Sequence, residues 1–367
     1  MGIPEINIKF KEETKKLATK AERGIVAILL KDSTEVGLHT IKNIDDIPVG
    51  LSETNKGLIN DVLLGNTQER REGSTLTEIT YRPNKVIAYV INTSGGTTDE
   101  ALKVMESEIF NIICYPDAQA EDDTKILDFT KKMNNLGSAV MCVIAPTPPS
   151  DYENAINWAT DKVKRGGTTI SKKKYCGRIA GLIAGTPYTQ SITYAKLLDL
   201  TEIPVQTKEE ADNSINGGNL IAIQKAGAIR IARGVTSLTT TDRQTKGESF
   251  KKIKLQLTKN YINNTIMKVI SDFYLGKVSN SYNNKILLNN EISAFLDEIS
   301  KEELIEANHT VDINVEKQKA YLKSKGMDVS AMDENEIKRA NTGSHVFIKI
   351  HAVDIDAMED FDIEISR

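Results

Sequence analysis

The sequence has few of the residues that carry covalent cross-links, metal binding or nucleophilic catalysis. Its 367 residues include three cysteines and four histidines. Cys114, Cys142 and Cys176 are far apart, and each lies in an apolar neighbourhood. A disulfide framework needs more cysteines, and a zinc site needs Cys and His at short spacing. We therefore predict three reduced, buried thiols, and no bound metal or cofactor.

Long hydrophobic runs are also missing. The apolar stretches at 24–30 and 139–145 are far shorter than the roughly 20 residues of a transmembrane helix, and the start, MGIPEINIKF, has no signal-peptide core. The chain is 40% hydrophobic and 27% charged, as in ordinary globular proteins. We expect synthesis in the cytoplasm without membrane insertion. The net charge of -4 gives no reason to expect a nucleic-acid partner.

Patterns that indicate an active site are weak. None of His39, His309, His345 and His351 belongs to a recognisable triad, and no G-x-S-x-G elbow is present. The stretch NTSGGTT at 92–98 follows a strand pattern and precedes a helix pattern, where backbone amides can bind phosphate. It lacks the Walker lysine, and helix capping explains the same residues. A cytoplasmic enzyme that binds a phosphorylated ligand at Ser94–Thr98 remains the alternative function.

The first part of the chain alternates between strand and helix patterns. Buried strands are predicted at 24–30, 85–91, 110–114 and 139–145, and helices at 51–64, 99–109, 123–136, 152–164 and 175–185. Small residues along 175–185 predict close packing against a neighbouring helix. The alternation predicts an α/β domain with a helix-covered, mostly parallel sheet.

The second part begins with a hairpin and continues with long helices. Strand patterns at 219–224 and 228–233 flank Lys225-Ala226-Gly227, and a threonine-rich extended segment follows. Helices are predicted at 207–214, 248–275, 291–299 and 315–323, and a strand at 345–353. This part is predicted to form an α+β domain.

Both ends of the chain carry strand patterns that lack a partner nearby in the sequence. The N-terminal pattern is basic and the C-terminal one is acidic, so the two would pair through apolar faces and opposite charges. The sequence therefore predicts a sheet built from chain ends, within one molecule or between molecules. The residues of these two arms are Ile6, Ile8, Lys9, Phe10, Phe361, Asp362, Ile363, Glu364 and Ile365.

Several segments together resemble the tail sheath proteins of contractile phage tails and phage-tail-like bacteriocins, in the compact form of Gram-positive hosts. They are AERGIV (21–26), GRIAGLIAGTP (177–187), ARGVTSLTTT (232–241), VDINVEKQKAYLKSKGMDV (311–329) and residues 341–367 with DAMEDFDIEI. The resemblance covers nearly the whole chain. The region 30–85 is too short for the outward-facing β domain of larger relatives.

The resemblance implies an architecture and a mechanism. Residues 1–20 would form an N-terminal arm, 21–206 the α/β domain, 207–355 the α+β assembly domain and 356–367 a C-terminal arm. Subunits would form stacked rings around an inner tube, join neighbours through exchanged arms, and contract to drive the tube through a cell envelope. The expected partners are other copies, the tube protein, the baseplate and the tail terminator. The protein would be made in the bacterial cytoplasm, leave in the tail particle, and not be an enzyme.

Two further sets of residues follow from this interpretation. The sheet that receives the arms is predicted to contain Ile221, Ile223, Ile229, Ile231, Val346, Ile348 and Ile350. The surface that faces an acidic tube is predicted to contain Lys317, Lys319, Lys323 and Lys325.

Overall fold

The computed structural model describes residues 20–72, 75–242 and 246–366. Its strands are β1 (Ile25–Asp32), β2 (Gly37–Ile41), β3 (Asn66–Glu72), β4 (Thr75–Tyr81), β5 (Lys85–Asn92), β6 (Ile112–Cys114), β7 (Met141–Ile144), β8 (Ala155–Trp158), β9 (Val163–Arg165), β10 (Thr168–Ile170), β11 (Asn219–Leu220), β12 (Ala222–Lys225), β13 (Ala228–Ile231), β14 (Thr310–Ile313) and β15 (Ile348–His351). Its helices are α1 (Glu53–Leu63), α2 (Thr98–Met105), α3 (Ala120–Asn135), α4 (Lys172–Gly185), α5 (Lys208–Asn216), α6 (Ile253–Val269), α7 (Tyr282–Lys301), α8 (Val315–Ser324) and α9 (Glu334–Arg339).

The centre of the fold is a seven-stranded sheet in the order β11-β8-β7-β6-β1-β5-β2. All neighbouring strands in it run parallel except β2, which pairs antiparallel with β5 at one edge. Antiparallel pairs make up the four remaining sheets: β3 with β4, β9 with β10, β12 with β13, and β14 with β15. The predicted α/β class with a mostly parallel sheet is confirmed.

Strand β1 is buried on both faces, as its uninterrupted apolar sequence predicts. Val26, Ile28 and Leu30 belong to a core that also contains apolar residues of α1, α4, α6 and α7. Ile25, Ala27 and Leu29 belong to a second core with residues of α2 and α3. The sheet is therefore covered by helices on both faces.

Helices α1 and α4 approach each other so closely that only glycine fits at one contact. A Cβ atom added to Gly181 of α4 would lie 2.0 Å from the carbonyl oxygen of Val62 in α1. Gly185, one turn further on, would place its Cβ 2.4 Å from the carbonyl oxygen of Tyr81. This confirms the close packing predicted for 175–185.

The helix predicted at 152–164 is wrong. Ala155–Trp158 forms β8, whose four residues are all buried between β7 and β11. A short apolar run fits a buried strand and a helical turn equally well, and the place beside β7 decides for the strand. Positive φ angles of 45° at Asp151 and 52° at Lys162 interrupt the chain on either side.

A hairpin forms from β12 and β13, as predicted, but it is shorter than its pattern. Lys225 pairs with Ala228, which leaves the two-residue turn Ala226-Gly227 with φ angles of 51° and 75°. Two positive φ angles are the signature of a tight hairpin turn whose twist matches its strands. Asn219 and Leu220 instead form β11 and pair with β8.

The long helices pack into the same core as the sheet. Tyr261 of α6 contacts Phe295 of α7 with ring centroids 5.6 Å apart. The single helix predicted at 248–275 is instead a short 3-10 turn, then α6, then the π-helical segment Ile270–Tyr274. Helices α8 and α9 enclose a smaller apolar cluster of Leu322, Val329 and Ile337.

Replacing Gly181 with alanine should lower the free energy of unfolding by about 1–3 kcal/mol, because the methyl group must displace the backbone at Val62. The matched control is Gly57→Ala at an exposed position of α1, where no atom lies within 4 Å of the added Cβ. That change should raise stability by about 0.5–1 kcal/mol. Chemical denaturation measures both, and an unchanged or higher stability of the Gly181 variant would disprove the close contact.

Candidate assembly interface

The C-terminal arm is exposed, and it pairs with no strand among the described residues. Phe361, Ile363 and Ile365 are 71%, 76% and 83% exposed. In the described part of the chain, residues 361–366 belong to no strand or helix, and neither Asp362 nor Glu364 forms an ion pair. Three large apolar side chains on one face of an exposed strand pattern are a sign of a missing partner. The N-terminal arm residues Ile6, Ile8, Lys9 and Phe10 lie outside the described residues.

The N-terminal side of the described chain is tied to the long helices. Lys20 Nζ lies 2.6 Å from Glu298 Oε1, and Arg23 donates to Glu302 Oε2 at 3.0 Å. The Arg23 guanidinium also lies 4.3 Å from the centroid of the Tyr261 ring. These contacts hold residues 20–23 against the C-terminal end of α7.

The small sheet β14–β15 has room for further strands. Its register pairs Val311 with Ile350 and Ile313 with Ile348. Val311 and Ile348 pack against the main core, whereas Ile350 is partly exposed. Neither strand pairs with a third strand among the residues that the structure describes. Edges of this kind accept an added strand through main-chain hydrogen bonds.

An apolar groove of about 720 Å³ lies beside β15. Val346 and Ile348 line it together with Tyr274, Leu275 and Leu288. Leu275 and Val346 are exposed in the groove wall. Two of the predicted receiving residues, Val346 and Ile348, thus line an open apolar surface, whereas Ile350 lies further along β15 outside the groove lining.

Lys285 lies in this groove without an acidic partner. Its side chain is buried, with 3% exposure, and its Nζ contacts Thr342 Oγ1 at 3.2 Å and Gln318 Oε1 at 3.4 Å. Burial lowers the pKa of Lys285 below its ordinary value. Among the described residues, the ammonium group of Lys285 therefore has only neutral oxygen atoms as hydrogen-bond partners.

The hairpin residues predicted for the receiving sheet lie elsewhere. Ile221, Ile229 and Ile231 are buried in the body of the protein, and Ile223 is partly buried. The outer edge of β13 is already bonded to its own chain, because Leu197 N donates to Ile229 O at 2.9 Å. The structure therefore does not bring the hairpin and β15 into one sheet. The sequence pattern of a hairpin does not show whether another segment of the same chain will cover the edge of its sheet.

The four lysines proposed to face a tube are all exposed on or just after α8, and none forms an ion pair within the described chain. They divide between two faces of the helix. Lys317 and Lys325 flank Tyr321 at helical spacing, while Lys319 and Lys323 lie on another face. Unneutralised lysines at this density give α8 a positive surface.

An aromatic cluster that the sequence analysis missed adjoins the first of these faces. The Tyr321 ring lies 4.7 Å from the His345 ring and 5.4 Å from the Phe347 ring, centroid to centroid. Tyr321 Oη is 3.1 Å from His345 Nδ1, and Lys325 Nζ lies 5.5 Å from the Tyr321 ring. The signal available in the sequence was a tyrosine four residues from each of two lysines.

The loop considered for phosphate binding is closed by its own bonds. Thr97 Oγ1 accepts from Glu100 N at 3.3 Å, and Glu100 Oε2 accepts from Thr97 N at 3.2 Å. Asn92 Oδ1 accepts from Ser94 N at 2.8 Å. This reciprocal capping box satisfies amides that a phosphate would need, and it favours the structural role of these residues.

The cysteines and the possible metal ligands of the described chain can be located directly. All three cysteines are buried free thiols, and burial raises the pKa of Cys142 to about 12. The prediction of reduced, buried thiols is confirmed. Within residues 20–72, 75–242 and 246–366, no three or more His, Cys, Asp or Glu side chains cluster as a metal site would require. Over the same residues, no helix has the length and hydrophobicity to span a bilayer.

Comparison with known proteins gives a consistent set of relatives. Residues 92–237 match the phage tail sheath protein central domain, and residues 245–366 match the phage tail sheath C-terminal domain. The tail sheath protein of Clostridium phage phiCD119 is 41% identical over 364 residues, which is 99% of each chain.

Solved structures show the same fold at low sequence identity. A sheath tail protein of Listeria innocua superposes with a TM-score of 0.63 at 17% identity, covering 92% of this chain and 97% of that one. The helical sheath of the anti-feeding prophage in its contracted state gives a TM-score of 0.67 at 10% identity, covering 100% of both chains.

Lys285 should give the isolated chain a measurable pH dependence. Because its pKa is lowered by folding, the unfolded chain binds the lysine proton more tightly, and stability rises as the pH increases toward the ordinary value of 10.5. The free energy of unfolding of the native chain, minus that of Lys285→Met, should therefore increase over this range. Leu287→Met, an exposed change on the same helix that removes no titratable group, should show a constant difference. A constant difference for Lys285→Met would refute the lowered pKa.

Proposed function

This chain belongs to the phage tail sheath family, and we propose that it polymerises around an inner tube through exchanged terminal arms. It is a structural subunit of a contractile sheath, a helical assembly of identical chains. Two features of the chain carry the arm proposal: the segment 361–365 is apolar and exposed, and the sheet β14–β15 has no third strand among the described residues.

The arm is proposed to fill the sheet of a neighbour. In its own chain the segment 361–366 makes no hydrogen bond with a described residue, while β15 has an open apolar groove beside it. When two copies associate, the segment 361–366 of one copy can add to the sheet beside β15 of the other. The basic N-terminal arm and the acidic C-terminal arm are proposed to lie in adjacent places of the extended sheet, where opposite charges face each other.

The strength of such a joint comes from repetition. A net main-chain hydrogen bond contributes roughly 0.5–1.5 kcal/mol, so one short strand contributes only a few kcal/mol. A subunit joined to several neighbours gains avidity, because each further joint forms at high effective concentration. The lattice can then stay connected while individual subunits move during contraction.

The proposed partners beyond other copies are an inner tube protein, a baseplate and a tail terminator. Helix α8 with its unpaired lysines is the proposed surface toward an acidic tube. The protein is proposed to be made in the bacterial cytoplasm and to leave the cell in the tail particle.

Removal of residues 361–367 should abolish sheath formation while leaving the monomer folded, because Phe361, Ile363 and Ile365 are exposed and residues 361–366 form no hydrogen bond with a described residue. Electron microscopy of the purified chain should show tubes for the full-length protein and dispersed particles for the truncated one. Ile363→Asp should act in the same direction with the length preserved, and circular dichroism should be unchanged for both. Tubes that form and contract without the arm would contradict the arm proposal.

The two faces of α8 can be separated by matched charge reversals. Lys317→Glu with Lys325→Glu should abolish cosedimentation with the tube protein, because this face combines positive charge with the Tyr321 cluster. Lys319→Glu with Lys323→Glu changes the net charge equally on the same helix and should retain most of the binding. Sheath polymerisation without tube should be normal for both. Equal loss from the two double variants would show that only the total charge matters.

A further inference from the structure

The segment before the exchanged arm is bound to the body of its own chain. Ile355 N donates to Leu304 O at 3.0 Å, and Glu306 N donates to Val353 O at 2.8 Å. Asp354 forms an isolated bridge with Ile305. The backbone is therefore held as far as residue 355 by main-chain bonds alone.

Side-chain ion pairs continue the attachment up to residue 360. Asp354 lies 2.6 Å from Lys259 Nζ, Asp356 pairs with Lys252, and Asp360 pairs with Arg233. Burial would lower the pKa of Lys252, but Asp356 and Glu359 outweigh it and raise that pKa above its ordinary value. Cations from α6 and from the end of the hairpin thus bind successive carboxylates of this segment.

Glu359 is the most enclosed of these carboxylates, with its side chain 5% exposed. Its Oε1 accepts from Thr193 Oγ1 at 2.6 Å and from Ser191 Oγ at 2.9 Å. Its Oε2 lies 3.3 Å from Lys252 Nζ and 3.8 Å from Arg233 Nε. Two hydroxyls and two cations from three separate segments therefore surround one carboxylate.

The pocket for this carboxylate is built by the body of the protein. Thr193 Oγ1 accepts from Gly234 N at 2.9 Å, and Ser191 Oγ accepts from Thr193 N at 3.1 Å. These bonds orient both hydroxyls toward Glu359. A buried, hydrogen-bonded charge with fixed partners gives conformational specificity, because its loss leaves the cations unpaired.

The attachment ends abruptly. Phe361 is already 71% exposed, and no described residue beyond Asp360 forms an ion pair with the body. The acidic side chains thus divide into two groups. Asp354, Asp356, Glu359 and Asp360 form ion pairs, whereas Asp362 and Glu364 have no ion-pair partner among the described residues.

We propose that Glu359 is the positioning residue of the C-terminal arm, which sets the point and the direction from which the exchanged strand leaves the subunit. The inference rests on the proposed arm exchange. A fixed root keeps the free tether short, and effective concentration at a neighbour's sheet falls with roughly the -3/2 power of tether length. If this attachment is released, the last fixed residue is Ile355 instead of Asp360, so the free segment up to Ile365 about doubles in length. The strand could then point away from the neighbour.

Spin labels can test the position of the root in the unassembled chain. One label replaces Met358, which is exposed, and the other replaces Lys208 on α5. The native cysteines are buried and do not compete for the label. The distance distribution should be narrow in the otherwise native chain and broad in Glu359→Ala. Asp362→Asn, a nearby acid without an ion pair, should leave it narrow.

Assembly supplies the second measurement. Glu359→Ala should raise the critical concentration for sheath formation about threefold, following the tether estimate. Glu359→Gln should lie between, because an amide keeps one acceptor but loses the charge. Thr193→Val removes the hydroxyl that donates to Glu359 Oε1, and it should also raise the critical concentration. This variant tests the same contact if a Glu359 variant fails to fold.

The outcomes separate this inference from the proposed function. If the chain without residues 361–367 still forms sheaths, the arm exchange itself is wrong. If that truncation abolishes assembly but the Glu359 and Thr193 variants keep a narrow distance distribution and the native critical concentration, only the positioning role is wrong.

Discussion

Main-chain hydrogen bonding across an open sheet edge is the interaction on which the proposed assembly depends. Among the described residues the small sheet β14–β15 has no third strand, and the segment proposed to fill that place in a neighbour is exposed. Most of the remaining structure can be understood as the means of presenting these two complements rigidly. The seven-stranded sheet has helices on both faces, and α6 and α7 pack into one of its two cores.

Close contacts in the interior of the subunit leave its helices little freedom to move. The glycine contact between α1 and α4 brings two backbones together, so that neither helix can slide without a clash. Both arms also begin at charged anchors: Lys20 and Arg23 on one side, and the Glu359 pocket on the other. In the proposed assembly, a subunit that moves as one body while its joints persist needs such a stiff interior beside its exchanged arms.

Much of the fold was predictable because local patterns and tertiary context agree. The run at 24–30 is buried on both faces, and the turn Ala226-Gly227 has the φ angles that its glycine indicated. The pattern at 152–164 failed because Ile156 and Trp158 suit a helix face and a buried strand alike. The pairing of the strand patterns at the two chain ends stays a prediction, because the N-terminal pattern lies outside the described residues. The sequence could not show that the hairpin edge is covered by residues 194–197, since that contact depends on where a distant loop passes.

The anchors at Glu359 escaped the sequence analysis for a similar reason. Acidic residues alternate through the C-terminal segment without any local sign that some are paired, and the hydroxyls of Ser191 and Thr193 are remote in sequence.

The three cysteines have a consequence for the life of the assembled particle. Cys114, Cys142 and Cys176 are enclosed in the interior, where burial keeps their thiols protonated and out of reach of oxidants. Passage from a reducing to an oxidising environment therefore creates no disulfide between subunits. In the proposed sheath, no disulfide between these cysteines would have to break when the assembly shortens.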